Sequence, residues 1–311
     1  MNTPMRRFTT ALLALSTGLA ASGLAASGLA HAQSTAIPFT PPPADSIPDN
    51  EFGKMVKLGQ DIFLQTKLLA SPYVGNSMNC VNCHLDAGRL AGSAPMWAGY
   101  VAFPAYRSKS GKVETYSRRI QECFIYSMNG KLPPADSDVV VALETYMYWL
   151  ATNAPTGATL EGRGYKRLPE PAQKPDYVRG QKVYAQHCAL CHGADGAGQR
   201  VGKEMVFPAL WGDNSYNWGA GMHTVSTAAA FIKANMPLGQ GNTLTDQDAW
   251  DVAYYMNAHD RPQDPRYNGS LEETRKKFHN EPGDLYGAEI NGVVLGKNAP
   301  PSGGDLRSDK P

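Results

Sequence analysis

One five-residue pattern, present twice, constrains this chain more than any other feature. Cys80-Val81-Asn82-Cys83-His84 and Cys188-Ala189-Leu190-Cys191-His192 both read CxxCH. A CxxC pair alone would suit a thioredoxin-like redox centre or half of a zinc site. The adjoining histidine, repeated in both copies, selects covalent attachment of c-type haem: two thioether bonds fix the macrocycle and the histidine supplies the proximal iron ligand. Two covalently bound haem c groups are therefore expected, held by Cys80 and Cys83 and by Cys188 and Cys191, with His84 and His192 as metal ligands. Four of the five cysteines are consumed. Cys123 is left over.

The start of the chain bears on what a leftover thiol can mean. Arg6 and Arg7 precede an apolar Ala/Leu/Gly-rich run that ends in Ala30-His31-Ala32, a small-residue cleavage pattern. Ser and Gly interrupt the run and no stop-transfer pattern follows, so residues 1–32 read as a signal peptide cleaved after Ala32 rather than as an anchor. The mature protein is expected in the periplasm, with no membrane insertion. Of 29 basic residues Arg6 and Arg7 leave with the signal, so 27 face 28 acidic residues. That balance gives no ground for binding nucleic acid or a membrane surface.

The remainder is long enough for two domains, and the chain repeats around its motifs. Leu58-Gly59-Gln60-Asp61-Ile62-Phe63 precedes the first CxxCH, and Arg179-Gly180-Gln181-Lys182-Val183-Tyr184 precedes the second. Asp138 to Thr152 and Asp246 to Ala258 carry apolar and aromatic residues at helical spacing, each opening at an aspartate suited to capping. Helix, haem loop and closing helix, occurring twice, resemble the class I cytochrome c fold in tandem. The expected architecture is mainly α: signal peptide 1–32, N-terminal domain 33–158, a Gly/Pro/charge-rich linker 159–174, C-terminal domain 175–262, and a polar tail 263–311 that wraps the surface or is partly mobile, with a short helix near Leu271 to Phe278.

Each iron needs a sixth ligand, and here the halves differ. In the second half Met236-Pro237 follows the helix-like TAAAFIKA, so Met236 is the expected ligand. Met205 and Met222 suit core or lining positions better, and Lys233 could coordinate only after losing its proton. The first half has no Met-Pro after its motif; its methionines there are Met96, Met128 and Met147. Cys123 lies close to the position that Met236 holds in its own half, so its thiolate is a candidate ligand. The alternative is an inert buried thiol.

The neighbours of Cys123 bear on that choice. Residues four apart on a helix differ by about 40° around the axis, so Arg119, Cys123 and Ser127 form one stripe. A guanidinium beside a thiol lowers its pKa, and iron coordination deprotonates it. Asn129-Gly130 should end this helix with Gly as the stop and Asn129 directing donors toward the haem edge. Of the cations Arg89, Arg107, Lys109, Lys112 and Arg118 nearby, Arg107 is the second candidate after Arg119 for an anion contact. No Ser/His/Asp spacing supports a hydrolase; His187, His223, His259 and His279 read as surface or structural.

The segments CVNCHLDAG, APMWAGYVAFPAYRSKSGKVETYSRRIQECFIYSMNG, NWGAGM and FIKANMPLG closely resemble those of the dihaem thiosulfate dehydrogenases, over Pro48 to Asp260. The resemblance implies that two thiosulfates are joined to tetrathionate, or the reverse, at a His84/Cys123-ligated haem, with Arg119, Ser127, Arg107 and Asn129 about the substrate. Electrons then leave through a His192/Met236-ligated haem to a small cytochrome c or high-potential iron-sulfur protein. Two other readings fit the same motifs: a dihaem electron carrier without a substrate, and a Sox-type haem subunit that passes thiosulfate to a carrier protein.

Overall fold

The computed structural model describes residues 36–202 and 204–304. The expected signal peptide falls outside the described residues. The helices are α1 (Glu51–Leu64), α2 (Thr66–Leu69), α3 (Leu85–Gly88), α4 (Met96–Tyr100), α5 (Tyr116–Tyr126), α6 (Asp138–Leu150), α7 (Tyr177–His187), α8 (Ala189–His192), α9 (Val225–Asn235), α10 (Asp246–Asn257) and α11 (Leu271–Phe278). Three antiparallel pairs interrupt them: β1 (Ala105–Arg107) with β2 (Lys112–Glu114), β3 (Gln199–Val201) with β4 (Glu204–Phe207), and β5 (Glu289–Ile290) with β6 (Val293–Val294).

The helix starts follow from side-chain capping. Asn50, Thr115, Asp176 and Ser270 each accept the backbone N–H three residues on. The two closing helices are capped one residue earlier than their aspartates predicted: Ser137 and Thr245 are the caps, and Asp138 and Asp246 occupy the first helical position. The hydroxyls sit on extended backbone and reach the orphan N–H groups, while the carboxylates complement the positive end of the helix dipole.

Two apolar clusters organise the interior. The first gathers Val56, Phe63, Trp97, Phe124, Leu143, Tyr146 and Leu150 between α1, α5 and α6. The second gathers Tyr184, Trp218, Ala228, Ile232, Trp250, Val252 and Tyr255 between α7, α9 and α10. In each, the glycine of the repeat sits where two helices cross. A Cβ on Gly59 would lie 2.0 Å from the Ala142 carbonyl oxygen, and one on Gly180 would lie 2.0 Å from that of Asp251. Backbones this close admit no side chain.

The halves are also tied to each other. Asn217 Nδ2 donates to Ile125 O at 2.8 Å, and Asn76 Nδ2 donates to both Ser127 O (2.9 Å) and Ser215 O (3.1 Å), so the end of α5 is fixed from two directions. The linker region is not free either: Leu160 is 1% exposed, bridges Ile37, and Trp250 Nε1 donates to Pro169 O. The tail includes the expected helix α11 and goes beyond a surface wrapping, since Tyr286 and Leu295 are fully buried in the second cluster.

Candidate active site

A cavity of about 240 Å³ opens inside the first half, lined by Cys80, Cys83 and His84 and by Arg119, Cys123 and Ser127 of α5 and its C-cap. A second cavity, about 410 Å³, is walled by Cys188, Cys191, His192 and, from the loop after α9, Met236. Both repeat one plan: two thiols, an imidazole and a further sulfur donor around an apolar chamber.

The donor chemistry of both chambers fits haem. His84 Nδ1 donates to Ala94 O at 2.8 Å and His192 Nδ1 to Pro208 O at 2.9 Å, which fixes each tautomer and leaves Nε2 with a free lone pair. Burial lowers the His84 pKa to about 4 and lowers that of His192, so both rings are held in the neutral, metal-ligating form. Burial pushes the thiols of Cys80, Cys83 and Cys188 up to about 12. A thioredoxin-like pair requires the opposite shift. The cysteines do not assemble a zinc site: among the described residues the grouping of three ligand-type side chains within 4.8 Å of one another is His223, His279 and Asp284. Thr66 Oγ1 accepts from Cys80 N and donates to Cys80 Sγ, holding the first motif against α2.

Thr115 caps α5 and starts the turn that carries Arg119. Arg119 Nη1 donates to Cys123 Sγ at 3.2 Å. The proximity of the Cys123 sulfur is the largest influence raising the guanidinium's pKa. Ser127, still in helical conformation at the C-cap, completes the stripe on the same cavity wall. Arg107, delivered by β1, also lines the cavity, its guanidinium carbon 5.8 Å from the Phe103 ring centre. The methionines Met96, Met128 and Met147 line it too, with Tyr116 Oη donating to Met96 Sδ at 3.6 Å.

Asn129 is placed elsewhere. Its backbone takes the left-handed conformation (φ 46°), and its Oδ1 accepts from Asn217 Nδ2 and Gly303 N, both at 3.1 Å. The side chain is absent from the cavity wall. Asparagine, not glycine, supplies the left-handed turn that ends α5. Gly130 is there for space, because a Cβ would lie 1.9 Å from Tyr73 O.

In the second cavity Met222 and Met256 share the wall with Met236, and Met205 does not reach it. Lys233 Nζ turns away, donating to Leu244 O at 2.6 Å and pairing with Asp246 at 3.2 Å. Two wall residues were not singled out in the sequence. Met78, 4% exposed, borders both cavities together with Cys83. Arg163 lines the first cavity from the linker region; its only sequence signal is the pair of glycines around it. Among the described residues no helix is long and apolar enough to cross a membrane.

Comparison with known proteins gives a consistent picture. The family described as "Cytochrome C oxidase, cbb3-type, subunit III" matches residues 175–256. A thiosulfate dehydrogenase of Thiomonas intermedia is 58% identical over 265 residues, covering 85% of this chain and 84% of that protein. One of Stutzerimonas stutzeri is 54% identical over 261 residues, covering 83% and 85%. The solved thiosulfate dehydrogenase TsdBA of Marichromatium purpuratum, in its as-isolated form, superposes with a TM-score of 0.81 at 53% identity. The match covers 84% of this chain but spans only 57% of that longer one.

Proposed function

The chain belongs to the thiosulfate dehydrogenase family, a cytochrome c-type oxidoreductase, and from that premise we propose that it joins two thiosulfates into tetrathionate, and can run the reverse reduction, at the first cavity. Cys80 and Cys83 would attach one haem c there, with His84 and Cys123 as the residues that would ligate its iron. Cys188 and Cys191 would attach a second in the other cavity, with His192 and Met236 as ligands. The two units, 33–158 and 175–262, would be joined by the linker 159–174 and followed by the tail 263–311. Residues 1–32 would direct export to the periplasm, where a small cytochrome c or high-potential iron-sulfur protein would take the electrons.

The observation that carries this reading is the Arg119–Cys123 pair lining the same chamber as His84. Joining two dianions brings four pairs of unit charges together, each costing on the order of 4 kcal/mol at about 4 Å and a surface-like effective dielectric. Fixed guanidinium groups offset that repulsion and hydrogen-bond the sulfonate oxygens. Ser127 adds a neutral hydroxyl that donates to an oxygen without adding charge. The coupling forms one sulfur–sulfur bond and releases two electrons. Haem, when bound, supplies a one-electron acceptor in each cavity, with thiolate ligation favouring the oxidised state and thioether ligation raising the potential. That order would favour electron flow from the first site to the second. The shared wall of Met78 and Cys83 supports a short route between them.

Purified protein mixed with thiosulfate and ferricyanide should yield tetrathionate and show near-infrared and EPR features of thiolate ligation in one of its two haems. Cys123→Ser should keep both haems attached and lose turnover and that signature together. Full turnover in Cys123→Ser, with the haem intact, would remove the ligand assignment. Electron exchange without loss of thiosulfate would leave only a carrier.

A further inference from the structure

The first cavity is lined by three arginines, and their commitments differ. Arg119 is engaged with Cys123 Sγ. The guanidiniums of Arg107 and Arg163 make no hydrogen bond or ion pair among the described residues; Arg107 only overlies Phe103. The two come from unrelated elements, Arg107 from β1 and Arg163 from the stretch that leads toward the second half.

Arg163 is nevertheless held in place. Gly162 O accepts from Gly92 N at 2.7 Å and Gly164 O from Ala94 N at 3.0 Å, and Ser93 forms an antiparallel bridge with Tyr165. Tyr165 Oη donates to Cys83 O at 3.2 Å. The glycines on either side take φ of 79° and 71°, so the backbone turns twice around Arg163. No atom lies within 4 Å of where a Gly164 Cβ would stand, so there the conformation alone demands glycine. The paired segment 92–94 ends at Ala94, whose carbonyl orients His84. A residue expected in the Gly/Pro/charge-rich linker is thus stitched to the loop that orients the His84 imidazole, and its exposed side chain borders the chamber.

We propose that Arg163 is a substrate-binding residue that forms, with Arg107, the subsite for the second thiosulfate, Arg119 and Ser127 serving the first. This rests on the thiosulfate-coupling reading above. A reaction that consumes two dianions needs cationic contacts for both, and one guanidinium already committed to a sulfur ligand cannot provide them alone.

The test uses the holoenzyme and the variants Arg163→Gln and Arg163→Lys. Arg163→Gln should raise KM for thiosulfate by about tenfold or more, the loss expected for one charge-assisted hydrogen bond, while kcat changes little. Its kcat/KM should depend less steeply on salt. Arg163→Lys should recover much of the affinity. Calorimetry of the oxidised wild type with sulfate, an unreactive dianion, should show binding that Arg163→Gln weakens by a similar factor. Haem absorption, the thiolate EPR signature and the thermal midpoint should match wild type in both variants. An unchanged KM and sulfate affinity in Arg163→Gln, beside a normally active wild type, overturns the assignment alone. So does an equal disturbance of the haem spectra in both variants, which would mark Arg163 as a support for the His84 loop. A wild type inert toward thiosulfate overturns the coupling reading as well.

Discussion

The Arg119 guanidinium bonds to the Cys123 sulfur at 3.2 Å from one helical turn away, so its substitution tests charge and geometry separately. Arg119→Gln removes a charge-assisted hydrogen bond worth about 1.5–3 kcal/mol, and kcat/KM for thiosulfate should fall by roughly one to two powers of ten. Arg119→Lys restores the charge but not the planar fork and should recover only part of the rate. Steady-state kinetics with parallel haem spectra check this, and equal rates in all three proteins would count against Arg119. The stripe Arg119–Cys123–Ser127 was legible in the sequence because helical period alone brings those positions onto one face. The turn after it was not. Asn129 and Gly130 both favour helix ends, and only the packing of Gly130 on Tyr73 O, with Asn129 held by Asn217 and Gly303, decides which takes the left-handed conformation. Arg163 escaped notice for a similar reason: its place on the wall depends on pairing with residues some seventy positions earlier.

At the scale of elements, the Gly-Gln repeat has a physical cause. Gly59 lets α1 press on the backbone of α6, and Gly180 lets α7 press on that of α10, with nearly the same approach in both halves. In each case the obstacle to a side chain is a carbonyl oxygen and a neighbouring tyrosine Cβ, neither of which can swing aside. Gly59→Ala and Gly180→Ala should each destabilise by about 1–3 kcal/mol through overpacking, despite the better helix propensity of alanine. Chemical denaturation of the holoprotein measures it; stabilisation by either change would mean that the crossing is looser than its geometry implies. Repeat glycines, closing helices and the CxxCH loops were readable because local period and motif specify them. The β1–β2 hairpin that delivers Arg107 carries little periodic signal, and the helix caps were displaced by one residue because serine and threonine hydroxyls outcompeted the adjoining aspartates.

Across the whole molecule, the tail is anchored by a buried polar chain. His223 and His279 both bond Asp284 Oδ2 at 2.8 Å; His279 continues to Asp264 Oδ2 at 2.9 Å, and Arg266 closes the chain on Asp264. Burial raises the Asp264 and Asp284 carboxyls, but hydrogen bonds from Arg266 and the two histidines reverse this and hold both well below the usual range. Their contribution is therefore complete above the unfolded value of 3.8 and is lost as pH falls below it. Burial lowers His279, yet its bonds to the two aspartates raise it overall, so its contribution is complete below 6.5 and is lost as pH rises beyond. His223 goes the other way: burial lowers it, and its contribution is complete above 6.5 and fades on acidification. Hydrogen-exchange protection factors for α11 and the β5–β6 hairpin should accordingly peak near 6.5 and decline on both sides. Asp284→Asn removes the carboxylate that both imidazoles share. Breaking a buried charged pair of this kind costs on the order of 3 kcal/mol, so protection in the tail should fall sharply and its alkaline decline should weaken, with Asp264 alone still holding His279 raised. Since Gly303 N donates to Asn129 Oδ1 at the end of the Cys123 helix, loosening should spread to amides after Ser127. Tail protection that ignores both pH and the substitution would show that apolar burial of Tyr286 and Leu295 suffices, and that the buried charges are incidental to the anchorage.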